Sequence, residues 1–292
     1  MRRARDRRSV AAPATDRGIA MTAPAPTHDS MLAINGVDLY VEERGTGAPI
    51  VCIHGAGSTT LAWSSAIDDL SRLGRVIAYD RRGCARSERP AHYDRTSIAE
   101  HADDAAALID ALDGAPAVVI GRSYGATVAT DLALRYPERV RALVLLEGDA
   151  SREQAPAVAE WIDRLTDRLL AVATQDGVDA VAKALVTEVA GESAWQAFPD
   201  EIRGLLQSNG PAILAELQGE WWLDADGAAL ATIRQPTLLV AAEDSPAEFR
   251  EPIEALAALL PNARTALVGG GHLIDPAAPP VLAFIEEVLG QP

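Results

Sequence analysis

Lysine is almost missing from this 292-residue chain. Lys183 is the single example, and the other basic residues are arginines set against 42 acids, giving a formal net charge of -16. A surface that acidic repels nucleic acid and anionic membrane, so neither is expected as a partner. Cysteine is nearly absent too. Two residues, Cys52 and Cys84, make no disulfide framework, and Cys52 lies in an apolar strand pattern where a small buried hydrophobe is the default. One bridge between them stays open, and cytoplasm is the expected compartment. No apolar run reaches about eighteen residues, which excludes a spanning helix. No repeat or long low-complexity stretch suggests disorder, and nearly half the residues are apolar, enough to fill a sizeable core.

The first 21 residues hold six arginines and two acids, so the remainder is more acidic still. That basic start lacks an apolar stretch of signal-peptide length before its acids and prolines. Residues 1–28 are expected to form a disordered tail, with Met21 an alternative start.

From Met31 onward the pattern becomes regular. Met31 to Glu43 predicts a hairpin turning at Asn35-Gly36. Short, wholly apolar strands follow at Pro49 to Ile53, Val76 to Tyr79, Ala117 to Gly121 and Val140 to Leu146. Helical patterns alternate with them at Ala62 to Leu73, His101 to Leu112 and Tyr124 to Arg135. The alternation resumes late, with strands at Pro236 to Ala241 and Thr265 to Val268 and helices at Glu251 to Leu260 and Pro280 to Leu289. Continuous apolar strands separated by helices indicate a parallel sheet covered on both faces. Residues 149–233 carry helical patterns, no clear strand and four of the five tryptophans, which predicts a helical cap over a core made of 29–148 and 234–292.

Ligands in open α/β sheets bind beyond the carboxyl ends of the strands. Ser123 stands on that rim in G121-R-S-Y-G125, between a strand and a helix. The G-x-S-x-G spacing has a physical reason: a tight strand-to-helix bend crowds backbone around the serine, so small residues are needed two positions either side. The bend pushes Oγ outward, and the helix start offers free N–H groups. A plain glycine-rich turn is the bland alternative, so partners must decide.

A serine hydroxyl needs a base to become a nucleophile. Of the five histidines, His28 lies in the expected tail, and His92 and His101 are expected to face solvent. His54 opens the loop H54-G-A-G57. His272, in G269-G-G-H-L273 just past the last strand, is the best candidate base, with a structural histidine as the alternative. The backbone N–H groups of Ala56 and Tyr124 could hold a developing oxyanion.

With H54-G-A-G57, Trp63, D80-R-R-G83 and Ser87, G121-R-S-Y-G125, R135-Y-P-E-R-V140 and G271-His272 in place, the chain resembles a capped α/β-hydrolase-fold serine hydrolase over residues 31 to 290. The resemblance implies a mostly parallel eight-stranded sheet with helices on both faces and a helical cap insertion. It also implies acyl transfer through a serine ester, since epoxide and haloalkane hydrolases of this fold carry aspartate where this chain has Ser123. No metal-ligand spacing or dinucleotide fingerprint occurs, so no cofactor is implied. A small-molecule substrate is expected, and the chain is expected to be a monomer or homodimer.

The third triad role needs a carboxylate to orient the imidazole. The commonest family pattern places an aspartate after the strand that follows the cap, but aligning Leu238 to Pro246 with it puts Ser245 there, with Asp244 one residue early. The other position lies after the strand that follows the nucleophile helix, where V144-L-L-E-G148 ends in Glu147. Glu147 is the expected acid and Asp244 the alternative; Asp149 and Glu243 are weaker. Asp80 is expected to form a local ion pair, and Arg122 either packs or binds an anion. The cap aromatics, with Phe198 and Leu205-Leu206, are expected to wall an apolar pocket. A moderately apolar ester or lactone is the expected substrate. Carbon–carbon bond hydrolysis or a lyase reaction by the same residues is the alternative, as is a non-catalytic ligand-binding module.

Overall fold

Alternation along the strands decides the architecture. In β3 (Pro49–Ile53) every residue is buried, yet Val51 and Ile53 enter one apolar cluster while Ile50 and Cys52 enter the other. β5 (Ala117–Arg122) and β6 (Val140–Leu146) divide their residues the same way. A strand apolar on both faces requires cover on both, because successive side chains point to opposite sides.

The computed structural model describes residues 27–148 and 150–290. The expected tail lies outside them except for Thr27 and His28, which open β1 (Thr27–Ile34); Met21 and Asp149 also lie outside. β1 pairs antiparallel with β2 (Val37–Arg44) through the Asn35-Gly36 turn, Ile34 opposite Val37. With β4 (Arg75–Tyr79), β7 (Thr237–Ala242) and β8 (Ala263–Val268), the sheet has eight strands in the order β1-β2-β4-β3-β5-β6-β7-β8. Every pairing from β4 onward is parallel. This is the α/β-hydrolase fold that the sequence pattern resembled.

Helices α2 (Ile98–Leu112), α3 (Tyr124–Arg135) and α10 (Arg250–Leu259) cover one face. The short α1 (Ile67–Leu70) and α11 (Pro279–Gly290) cover the other, around the buried Trp63. The helix expected over Ala62 to Leu73 is instead a 3-10 turn at Thr60–Trp63 followed by α1. Serine and threonine side chains break it: Thr59 Oγ1 accepts from Leu61 N–H, and Ser64 Oγ donates to Leu61 O, offering the backbone partners other than those of a continuous helix.

Between β6 and β7 lie α4 (Pro156–Gln175), α5 (Ala180–Ala190), α6 (Glu192–Ala197), α7 (Asp200–Gln207), α8 (Gly210–Gln218) and α9 (Gly227–Leu230). α4 buries Val158, Ile162, Leu165 and Leu169 at helical spacing, each large side chain contributing about 1.5–3 kcal/mol. Among the described residues no helix is long and apolar enough to cross a membrane. Cys52 and Cys84 are both buried free thiols, and burial pushes the Cys84 thiol up to about 12.

Candidate active site

The bend at Ser123 is made by backbone packed on backbone. A Cβ on Gly121 would lie 2.4 Å from Gly125 O, and one on Gly125 would lie 2.1 Å from Ile53 O. Neither neighbour can move without breaking β3 or α3, so only glycine fits. Ser123 itself has φ 52° and ψ -127°, a conformation that costs a non-glycine residue about 1–3 kcal/mol. Its N–H donates to Leu146 O at 2.8 Å, tying the bend to the end of β6.

One residue beyond that strand end stands Glu147, also in the left-handed region at φ 47° and almost wholly buried. Its carboxylate has three partners. Oε1 accepts from Ala242 N–H at 2.9 Å, and Oε2 accepts from Ser245 Oγ at 2.8 Å and stands 2.7 Å from His272 Nδ1. A buried carboxylate with three such partners avoids the penalty of an unpaired one. Asp244 faces solvent and its N–H donates to Gly270 O; Glu243 is exposed as well. His272 is stacked on Phe249, with ring centroids 4.6 Å apart and planes 24° apart. Phe249 in turn meets Trp161 of α4 edge-on at 5.0 Å. The imidazole is therefore fixed at its edge by Glu147 and on its face by Phe249.

Ser123, Glu147, His272 and the Gly55-Ala56 backbone line one pocket. A Cβ on Gly55 would lie 3.3 Å from Ser123 Cβ, so this loop passes directly beside the serine. Among the described residues the Ala56 N–H donates to no protein group, and Tyr124 N–H belongs to the first turn of α3, where a helix leaves its donors free. Of the expected cap wall, Trp161, Trp221, Phe198 and Leu206 line the pocket. Trp195, Trp222 and Leu205 do not; Trp195 packs edge-on behind Phe198.

The loop is held in part by Asn209 and Glu216, which the sequence did not single out. Asn209 is fully buried; its Nδ2 donates to Gly57 O and Ser58 O at 3.1 and 2.9 Å, and its Oδ1 accepts from Ala85 N–H. Beneath it, the Arg81 guanidinium donates to His54 O, Gly55 O and Glu216 Oε1, the last at 2.7 Å from α8. His54 Nδ1 donates to Gly55 O while Nε2 accepts from Arg81 N–H, which requires a neutral ring. Burial, then the Arg81 charge, hold its pKa well below the ordinary histidine value.

His101, expected at the surface, is a correction. It is buried, with Nε2 3.1 Å from Arg81 Nη1. The reason is that α2 starts three residues earlier than expected, capped by Ser97, which turns His101 inward with Ile98, Ala102 and Ala105. Burial, then the charges of Arg81 and Arg82, keep it neutral. Asp80 forms the expected local ion pair, accepting from Arg86 Nε at 2.8 Å and from Thr60 N–H at 2.7 Å.

A family model described as alpha/beta hydrolase fold matches residues 48–274. The chain is 32% identical over 263 residues to the candidate carbamate hydrolase RutD of Azorhizobium caulinodans, spanning 87% of this chain and 94% of that protein. It is 39% identical over 116 residues to 2-hydroxymuconate semialdehyde hydrolase of a Pseudomonas strain, a match that spans only 38% of this chain and 40% of that protein. Among solved structures it resembles an esterase from Thermogutta terrifontis at 25% identity and a TM-score of 0.69, covering 91% of this chain and 98% of that one.

Proposed function

The chain belongs to the α/β-hydrolase fold family, and we propose that within it the protein is a serine hydrolase of small, moderately apolar carboxylic esters or lactones. The observation that carries this reading is the 2.7 Å contact between Glu147 Oε2 and His272 Nδ1 in the pocket that Ser123 also lines. An imidazole whose Nδ1–H is held by a carboxylate presents Nε2 as the base.

In this mechanism His272 takes the Ser123 proton as Oγ attacks the substrate carbonyl. The N–H groups of Ala56 and Tyr124 receive the oxyanion, a pair in which one donor contributes about 3–4 kcal/mol to the transition state. His272 then gives the proton to the departing alcohol, and the same base activates the water that releases the acid. Glu147 holds the imidazole tautomer and stabilises its charged form throughout.

A second reading uses the same residues for carbon–carbon bond hydrolysis, with His272 and Ser123 acting chiefly in proton transfer. The likeness to 2-hydroxymuconate semialdehyde hydrolase over 116 residues favours giving it a place.

Intact mass after exposure to a neutral fluorophosphonate tests the nucleophile. One adduct is expected on wild type, none on S123A, and strongly slowed labelling on H272A and E147A but not on D244A. Equal labelling of wild type and S123A removes Ser123 from the mechanism. Turnover of an ester through an acyl-enzyme, trapped at low pH, separates the ester reading from the carbon–carbon one.

A further inference from the structure

Three arginines are buried among the described residues: Arg81, Arg82 and Arg122. Two of them are paired. Arg81 meets Glu216 at 2.7 Å, and Arg82 meets Asp104 at 2.5 Å. Arg122, the residue before Ser123, is only 9% exposed and has no carboxylate within ion-pair distance among the described residues. Among the described residues its guanidinium makes one hydrogen bond, from Nη2 to Ile274 O at 2.5 Å, and its Nε is buried without a partner. The nearest acidic influence comes from Asp275, which is itself exposed and accepts from Ala277 N–H.

A guanidinium carries five donors, and removing its charge from water is costly unless an anion and hydrogen bonds compensate. Burial lowers the Arg122 pKa to about 10, so it remains charged near neutrality. A purely structural role does not account for that charge. Holding Ile274 O needs one donor, and packing 5.3 Å from the Trp63 ring needs only a flat or apolar side chain. A glutamine, with an amide N–H to donate and a flat side chain to pack, would do both without the penalty. What distinguishes this position is its place: Arg122 lines the pocket with Ser123 and His272, and it also lines the adjoining cavity that runs past Ser58, Phe198 and Leu273. Apart from the catalytic groups, the walls of the catalytic pocket are mainly aromatic and aliphatic, while Asp275 and two hydroxyl residues line only the adjoining cavity. These walls leave a negatively charged substituent no other cation to choose.

We propose that Arg122 is the specificity-determining residue of this pocket, seating a carboxylate carried by the substrate beside the scissile carbonyl. The inference rests on the hydrolase reading above and narrows it. The favoured substrates are half-esters or lactones of acids bearing a second, free carboxylate, joined by a short apolar segment.

The test compares kcat/KM for two matched pairs. One is mono-4-nitrophenyl glutarate against its methyl ester, which places the charge on the acyl part. The other is 4-acetoxybenzoate against its methyl ester, which places it on the leaving group. Wild type is expected to prefer the charged member of at least one pair by 30-fold or more, chiefly through KM. R122Q is expected to lose that preference, and R122K to retain part of it. A charged-to-neutral ratio that is the same in wild type and R122Q overturns the proposal, whatever happens to the absolute rates. Should R122Q fail to fold, wild type answers alone: free glutarate at millimolar concentration must protect Ser123 from the neutral fluorophosphonate, and absence of protection overturns the assignment. Rapid labelling with no anion preference leaves the hydrolase reading standing and removes only Arg122. Absence of both labelling and ester turnover removes the reading and the inference together.

Discussion

Ser245 donates its hydroxyl to Glu147 Oε2 over 2.8 Å. The position after β7 thus serves the carboxylate after β6 instead of supplying one of its own. The consequence is a division of labour in which one strand end provides the charge and its neighbour provides the hydrogen bonds, from Ser245 Oγ and Ala242 N–H, that orient it.

Replacing that carboxylate by its amide tests the assignment most directly. In E147Q one acceptor oxygen becomes an NH2 that must face either Ala242 N–H or the His272 Nδ1–H and Ser245 hydroxyl, so the imidazolium loses its counter-charge and the imidazole its firmly held partner. Ester kcat is expected to fall by about 10³–10⁴-fold, the scale seen when a triad aspartate becomes asparagine. D244N, altered at an exposed side chain, is expected to stay within about twofold, the usual reach of surface changes. Steady-state kinetics on one ester decides, and a D244N loss larger than that of E147Q would transfer the role.

The two positions are close enough to exchange it. E147A/S245D is expected to recover at least about tenfold of the activity that E147A loses, because a carboxylate on the β7 side would again meet His272 Nδ1. S245D alone should be poor. Two carboxylates converging on one imidazole cannot both remain ionised at little cost, so one would be held protonated. A double variant no faster than E147A would show that the β7 end cannot aim a side chain at His272.

These relationships bear on how much could be read from the sequence. The strands and the bend were legible because each follows from local rules: unbroken apolar runs for strands buried on both faces, and glycines two residues either side of Ser123. Glu147 was legible as a carboxylate ending an apolar strand, where it needs a partner, but the sequence could not say whether it or Asp244 reached His272. That choice depends on side-chain aim after two parallel strands, a long-range relation that no local spacing encodes. His101 was misread because the helix start was placed at the histidine, although Ser97 with Glu100 three residues on is a capping signal. Asn209 and Phe249 gave no signal at all. Each is one polar or aromatic residue in a helical region, and its role arises only where the cap and the β7 loop fold back over the rim.

The elbow glycines predict a stability difference that is independent of chemistry. Gly125→Ala would force a Cβ within 2.1 Å of Ile53 O and 2.6 Å of His54 O, both backbone atoms, and is expected to cost about 3 kcal/mol or more. Gly204→Ala, in α7 with nothing within 4 Å of its Cβ, is expected to add about 0.5–1 kcal/mol by removing unfolded-state freedom and raising helix propensity. Urea midpoints measured on the same day give both numbers, and a well-folded G125A of wild-type stability would contradict the packing described at the bend.

Two buried imidazoles make the fold acid-sensitive in a definable window. Burial, then the Arg81 charge, depress the pKa of His54 and of His101 well below the ordinary value. In the unfolded chain both titrate near about 6.5. As pH falls through that value the unfolded state takes up protons that the folded state refuses, so stability that is complete above it is lost below it. The slope is at most about 1.4 kcal/mol per pH unit for each imidazole, until the folded values are reached. Other groups titrate in the same range, so the informative quantity is a difference. H101Q keeps an acceptor for Arg81 Nη1, which lies 3.1 Å from His101 Nε2, and removes one of the two titrations. Its urea stability between pH 7.5 and 5.5 (a span of about two units) is expected to fall less steeply than that of wild type, by about 1 kcal/mol per unit below 6.5. Parallel curves for the two proteins would mean that His101 accepts its proton in the folded state, and that the Arg81 cluster opens before the sheet does.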